Sequence, residues 1–163
     1  MDVDGVLTDG RLFFVPVSNG VIVETKGFDV MDGAGIAYAR KAGLKTGVIT
    51  KRQSASLGHR AAELKMDYIY NGVDDKRAAL DEICRISGVP PAKICYIGDD
   101  LPDLPVLIRV GFPVAVRNAH AELQSRAAYV TNAMGGRGAV REVIELILKS
   151  QNRWAGIVNS YLE

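Results

Sequence analysis

The sequence predicts an α/β fold: a three-layer sandwich with a mainly parallel, Rossmann-like sheet and a small β-hairpin insert. Three observations lead there. From residue 34 onward, short apolar runs alternate with stretches of helical periodicity. Ahead of that point, two β-rich runs flank Ser18-Asn19-Gly20, a turn sequence. The apolar runs end in polar and acidic clusters, as expected where the carboxyl ends of parallel strands open onto a ligand site.

Each element follows in order. Residues 11–16 and 21–25 are β-rich, and Asn19-Gly20 tolerates the positive φ that a hairpin turn needs. Residues 34–43 read as a helix: Ile36, Ala39 and Leu44 fall near one face and Gly43 marks the stop. Residues 46–50 read as a short buried strand, 53–65 as a helix and 67–70 as a strand. Residues 75–87 are helical, with Gly88 just past the end, and 93–97 form a strand. A helix over 102–109, a strand over 112–116, a helix near 119–125 and a short strand over 127–130 follow. The last long helix spans 138–150, and the tail 151–163 is mixed. There is no repeat, low-complexity stretch or linker, so 1–163 reads as one domain with its insert at about 11–25.

Composition narrows the function. A chain of 163 residues, 48% apolar and 24% charged, is ordinary for a globular protein with a sizeable core. A net charge of +1 without a basic stretch argues against nucleic acid and against an acidic membrane surface. No apolar run approaches a membrane span, and Met1-Asp2-Val3-Asp4 has no signal-peptide pattern. The two cysteines, Cys84 and Cys95, read as buried free thiols, which sets the expectation of a reducing cytoplasm.

Four clusters sit at expected strand ends. They are Asp2-Val-Asp4-Gly-Val-Leu-Thr-Asp9-Gly10, Thr50-Lys51-Arg52, Lys76, and Gly98-Asp99-Asp100-Leu-Pro-Asp103. Taken singly, an Asp-rich loop is a turn or a helix cap and a lysine in a helix is solvated. Together they place two acidic loops, a threonine hydroxyl and a lysine on one rim. Carboxylates that close repel one another without a cation, and their hard oxygens suit magnesium.

That ordered set, Asp-x-Asp-Gly-Val, Ile-Thr, Lys and Gly-Asp-Asp-x-x-Asp, resembles the haloacid dehalogenase superfamily of phosphatases. Within it, residues 2–10, Asp32-Gly-Ala-Gly-Ile36, Tyr96-Ile-Gly-Asp-Asp100 and Gly135-Gly-Arg-Gly-Ala-Val-Arg-Glu142 look like the 3-deoxy-D-manno-octulosonate 8-phosphate phosphatases. The resemblance runs through almost the whole chain. It implies a magnesium-dependent hydrolysis through an aspartyl-phosphate, with Asp2 as nucleophile and Asp4 as proton donor and acceptor. Magnesium would be held by Asp2, the backbone carbonyl of Asp4, and Asp99. Thr50 and Lys76 would bind phosphoryl oxygens, and Asp100 and Asp103 would orient Lys76 and metal-bound water. Arg52, Arg60 and the segment Asp29, Val30, Met31, Asp32 and Gly33 stand where the group meets its substrate. Two alternatives share the outline: a phosphatase for a nine-carbon sialic-type acid 9-phosphate, and a non-catalytic relic of the fold.

Three departures accompany the resemblance. The group has Thr-Gly-Arg where this chain has Thr50-Lys51-Arg52, and Met31 and Ala37 stand where some members carry arginine. The group also has a central apolar strand ahead of the nucleophile, which places Met1-Asp2 at an expected frayed end. For assembly, the apolar hairpin needs a partner. The resemblance supplies one in a homotetramer whose hairpins form a central barrel, with Arg137 reaching a neighbouring site.

Overall fold

The computed structural model of the chain describes residues 1–162. An antiparallel hairpin comes first, β1 (Phe13–Pro16) and β2 (Ile22–Thr25), followed by α1 (Val30–Lys41). Then strands and helices alternate: β3 (Gly47–Thr50), α2 (Ala55–Glu63), β4 (Tyr68–Asn71), α3 (Lys76–Ser87) and β5 (Cys95–Gly98). The rest is α4 (Leu104–Leu107), β6 (Phe112–Ala115), α5 (Ala121–Gln124), β7 (Tyr129–Val130), α6 (Ala139–Ser150) and α7 (Trp154–Asn159).

Two parallel ladders form the sheet. β3 pairs with β4 from Gly47↔Tyr68 to Thr50↔Asn71, and β5 pairs with β6, which pairs with β7. The backbone of Met1 and Asp2 joins the two. Ile49 N donates to Met1 O at 3.0 Å, and Asp2 N donates to Ile97 O at 2.9 Å. Asp2 is therefore anchored and only 7% exposed, not frayed as its position in the sequence suggested.

Side-chain alternation along these strands fills two cores. Val48, Ile97 and Val114 pack with α1, α2, α6 and α7 on one face. Their neighbours Ile49, Tyr96 and Ala115 pack with α3, α4 and α5 on the other. This is the three-layer α/β arrangement. A cavity of about 390 Å3 lies between β3 and β5, lined by apolar groups such as Leu80, Ile83 and Ile94, away from every acidic loop. No described helix is long and apolar enough to cross a membrane.

Most element ends shift by a residue or two from the sequence reading, and two elements differ further. α1 starts at Val30 rather than 34 because the Asp29 side chain accepts Met31 N at 2.6 Å and opens the helix early. Its glycines hide the periodicity, yet they serve packing: a Cβ on Gly35 would lie 2.9 Å from Arg141 Cα, so glycine lets α1 approach α6 closely. The expected helix over 102–109 divides into a tight turn at Leu101–Asp103 and the one-turn α4. Pro102 and Pro105 cannot donate the backbone bonds of a longer helix.

Candidate active site

The carboxyl ends of β3 and β5 and the turn into α3 open onto a cavity of about 310 Å3. Asp2 and Asp4 reach it from the first loop, Thr50, Lys51 and Arg52 from the end of β3, and Lys76 from the first turn of α3. Asp99, Asp100 and Asp103 come from the end of β5.

At the centre lies a buried ionic cluster. Lys76 Nζ donates to Asp103 Oδ1 at 2.7 Å and lies 2.7 Å from Asp2 Oδ1. Burial alone would push the lysine down, but Asp103 and Asp2 outweigh it and hold the ammonium above its usual range. Asp103 is itself fully organised. Tyr96 Oη donates to its Oδ1 at 2.7 Å, and the amides of Asp99 and Asp100 donate to its Oδ2 at 3.0 and 3.4 Å. Asp103 thus positions the lysine and the turn after β5.

Asp2 and Asp99 are in a different condition. Asp99 Oδ1 is buried without a hydrogen-bond partner, and buried Asp2 Oδ1 is met only by the Lys76 ammonium. Burial raises the Asp2 carboxyl, the charge of Asp103 adds to the rise, and Lys76 opposes it. Burial, followed by the charges of Asp2 and Asp103, pushes Asp99 up to about 8. Oxygens of Asp2, Asp99 and Asp103 lie within 4.8 Å of one another. A buried, unpartnered Asp99 oxygen beside two further carboxylates fits a hard divalent cation, whose charge reverses the repulsion.

The backbone makes this closeness achievable. Gly5 adopts φ +94°, and a Cβ there would lie 2.1 Å from Asp99 Oδ2. The buried Thr8 hydroxyl accepts from Gly5 N at 3.4 Å and Gly10 N at 3.2 Å, closing the loop. Asp4 faces the cavity mouth, its Oδ1 paired with Lys26 and its Oδ2 3.7 Å from Arg52 Nε.

The remaining candidates stand apart from this cavity. Asp29 caps α1, leaving Val30 and Met31 exposed beside it. Asp32, expected among the substrate contacts, is fully buried. Its oxygens accept from Gly138 N at 3.2 Å and Arg141 N at 2.8 Å, so it holds α1 to the start of α6. Burial, eased by those bonds, sets its carboxyl at about 6. Gly33 is packed against Arg60, where a Cβ would come within 2.3 Å of Nη2, and Arg60 Nη1 pairs with Glu63 at 2.9 Å. Lys26, Thr8 and Tyr96 were missed by sequence reasoning. Tyr96 carried a usable signal, since a buried tyrosine in an apolar run needs a partner for its hydroxyl. Lys26 carried none.

The comparisons with known proteins agree with this geometry. Residues 65–144 match the family model of haloacid dehalogenase-like hydrolases. The curated 3-deoxy-D-manno-octulosonate 8-phosphate phosphatase KdsC of Escherichia coli (strain K12) is 41% identical over 153 residues, covering 94% of this chain and 79% of that protein. The crystal structure of the same enzyme from Moraxella catarrhalis, in complex with magnesium ion, phosphate ion and KDO, superposes with a TM-score of 0.92. It is 41% identical, with 99% of this chain and 90% of that one covered. A probable YrbI family phosphatase from Pseudomonas syringae pv. phaseolica 1448a gives the same TM-score, 0.92, at 41% identity and the same 99% and 90% coverage. On identity, coverage and fold, the chain belongs to the haloacid dehalogenase-like hydrolases, in the family of the 3-deoxy-D-manno-octulosonate 8-phosphate phosphatases.

Proposed function

We propose that this chain hydrolyses 3-deoxy-D-manno-octulosonate 8-phosphate with magnesium, through a phosphoryl group carried on Asp2. The observation that carries the reading is the meeting of the Asp2 and Asp99 carboxylates beside buried Lys76 in one 310 Å3 cavity. Asp2, Asp99 and the backbone carbonyl of Asp4 would hold magnesium, which would supply positive charge to let Asp2 and Asp99 both be ionised and to offset the phosphoryl charge.

The chain's own residues do the rest. An Asp2 carboxylate oxygen bonds to phosphorus as the bond from phosphorus to the sugar oxygen breaks. Asp4 gives its proton to the leaving oxygen and becomes a carboxylate. A water then attacks phosphorus, Asp4 takes the proton from that water, and inorganic phosphate leaves Asp2 free. Lys76 and Thr50 neutralise and orient the phosphoryl oxygens throughout. Arg52, 46% exposed at the cavity wall, is the cation best placed for the sugar carboxylate. Val30 and Met31, exposed beside Asp29, offer a surface for the sugar; Asp32, Gly33 and Arg60 shape it from behind.

The chain assembles as a homotetramer through the 11–25 hairpin and works in the cytoplasm. Support for assembly is the uncovered apolar hairpin, with Phe14 61% and Ile22 65% exposed. Support for the location is the pair of free cysteines.

Phosphate release from a panel of eight- and nine-carbon sugar-acid phosphates tests the substrate. The eight-carbon compound is expected to lead, and faster release from the nine-carbon one would reassign it. Beryllium trifluoride is expected on Asp2 and absent in Asp2→Asn. Attachment at Asp9, Asp99 or Asp103 would overturn the nucleophile.

A further inference from the structure

We propose that Lys26 is a positioning residue for the proton-transfer step, holding the Asp4 side chain in place and pairing with the carboxylate that forms as Asp4 gives its proton, so that the base of the hairpin is part of the catalytic centre. This rests on the reading of Asp4 as proton donor. Lys26 lies just past β2, where a lysine is ordinarily solvated, yet its side chain has 0% exposure. A buried ammonium is destabilising unless it is paired. Its partners are Asp4 Oδ1 and, at 3.7 Å, Glu24 Oε1.

Asp4 depends on that pairing. Among the described residues, no other group hydrogen-bonds its carboxylate. The other nearby cation is Arg52, whose Nε lies 3.7 Å from Asp4 Oδ2 and whose Nη1 reaches Glu24 Oε2 at 3.3 Å. Arg52 is 46% exposed and free to turn toward a ligand; Lys26 is enclosed. Four charges thus tie the first loop, the hairpin base and the end of β3 together, with Lys26 as the enclosed member. A proton donor must be held within hydrogen-bond reach of the leaving oxygen, and small misplacements slow the step steeply.

The test compares leaving groups in Lys26→Met and Lys26→Arg. The ratio kcat/KM covers the steps up to phosphorylation of Asp2. In those steps an alkyl phosphate, such as a sugar-acid phosphate, needs a proton on its leaving oxygen. p-Nitrophenyl phosphate, an aryl ester, leaves without one. Lys26→Met is expected to lower kcat/KM for the alkyl substrate about 100-fold, the lower end of a general-acid contribution. It should change the aryl value by less than about threefold, and Lys26→Arg should recover most of the alkyl loss. Equal losses on both esters would make Lys26 merely structural and overturn the proposal, as would no loss on either. A wild-type chain inactive on every ester would instead overturn the phosphatase reading, and this inference with it. A readout independent of turnover is the NMR signal of the enclosed Lys26 ammonium. Asp4→Asn is expected to shift it and Asp9→Asn to leave it, whereas a signal indifferent to Asp4→Asn would also overturn the proposal.

Discussion

Asp2 and Asp99 confront each other, and Asp99, with one buried, unpartnered oxygen, responds by holding its proton up to about 8. A carboxyl raised in the folded state stabilises the fold at low pH. That contribution is lost as pH climbs from the ordinary carboxylate range through about 8. Magnesium must displace the same proton, so its affinity is expected to rise between about pH 6 and 8 and level off above. Calorimetry in buffers of different ionisation enthalpy reads the proton released; an affinity flat across that range would contradict the assignment. Saturating magnesium should raise stability by about 2.7 kcal/mol at 100 times its Kd. Asp99→Asn removes the repulsion, so the metal-free variant should melt higher than wild type while losing the magnesium effect. Thr50 and Asp99 were legible because each follows an apolar run, and Asp2 and Lys76 because they complete the ordered set of motifs. Lys26 was illegible because nothing local marks a lysine that becomes buried only when the hairpin folds back on the first loop.

Helices α1 and α6 show where legibility stops at the level of elements. α3 and α6 announce themselves by apolar spacing, and the structure places them within a residue of the expectation. α1 conceals its periodicity behind Gly33, which packs against Arg60, and Gly35, which makes room for a helix a hundred residues away. Asp32 belongs to that contact. Its carboxyl sits at about 6, so its contribution to stability is present near pH 4 and lost as pH rises through about 6. Asp32→Ala strands the amides at the start of α6 and is expected to cost about 1–3 kcal/mol. Asp32→Asn keeps one of the two acceptors and turns its NH2 toward the other amide, so it should melt below wild type but above Asp32→Ala at pH 7.5, with kcat/KM unchanged. A fall in kcat/KM at constant Tm would place Asp32 in contact with the substrate after all.

At the scale of the whole molecule, the joining of the sheet through the backbone of Met1 and Asp2 escaped local sequence reasoning, whereas the uncovered apolar hairpin was legible in its β-rich runs. The proposed tetramer makes a direct prediction. Light scattering should give four chains in dilute buffer, and Phe14→Lys with Ile22→Lys should yield monomers. Arg137, 65% exposed and 3.4 Å from Asp9, is expected to serve a neighbouring site, so those monomers should also lose activity. Fully active monomers would refute both points. One further contact bears on how such a chain is made. Gly136 N donates to Val6 O at 2.8 Å, and Gly135 sits so close that a Cβ would lie 1.7 Å from Gly5 O. The nucleophile loop is therefore made before the residues that bracket it, which follow roughly 130 positions later, a wait of roughly 6–25 s at ~5–20 residues per second. Through that interval the growing chain carries its reactive aspartate unlatched, and chemical competence waits on the segment around Gly136.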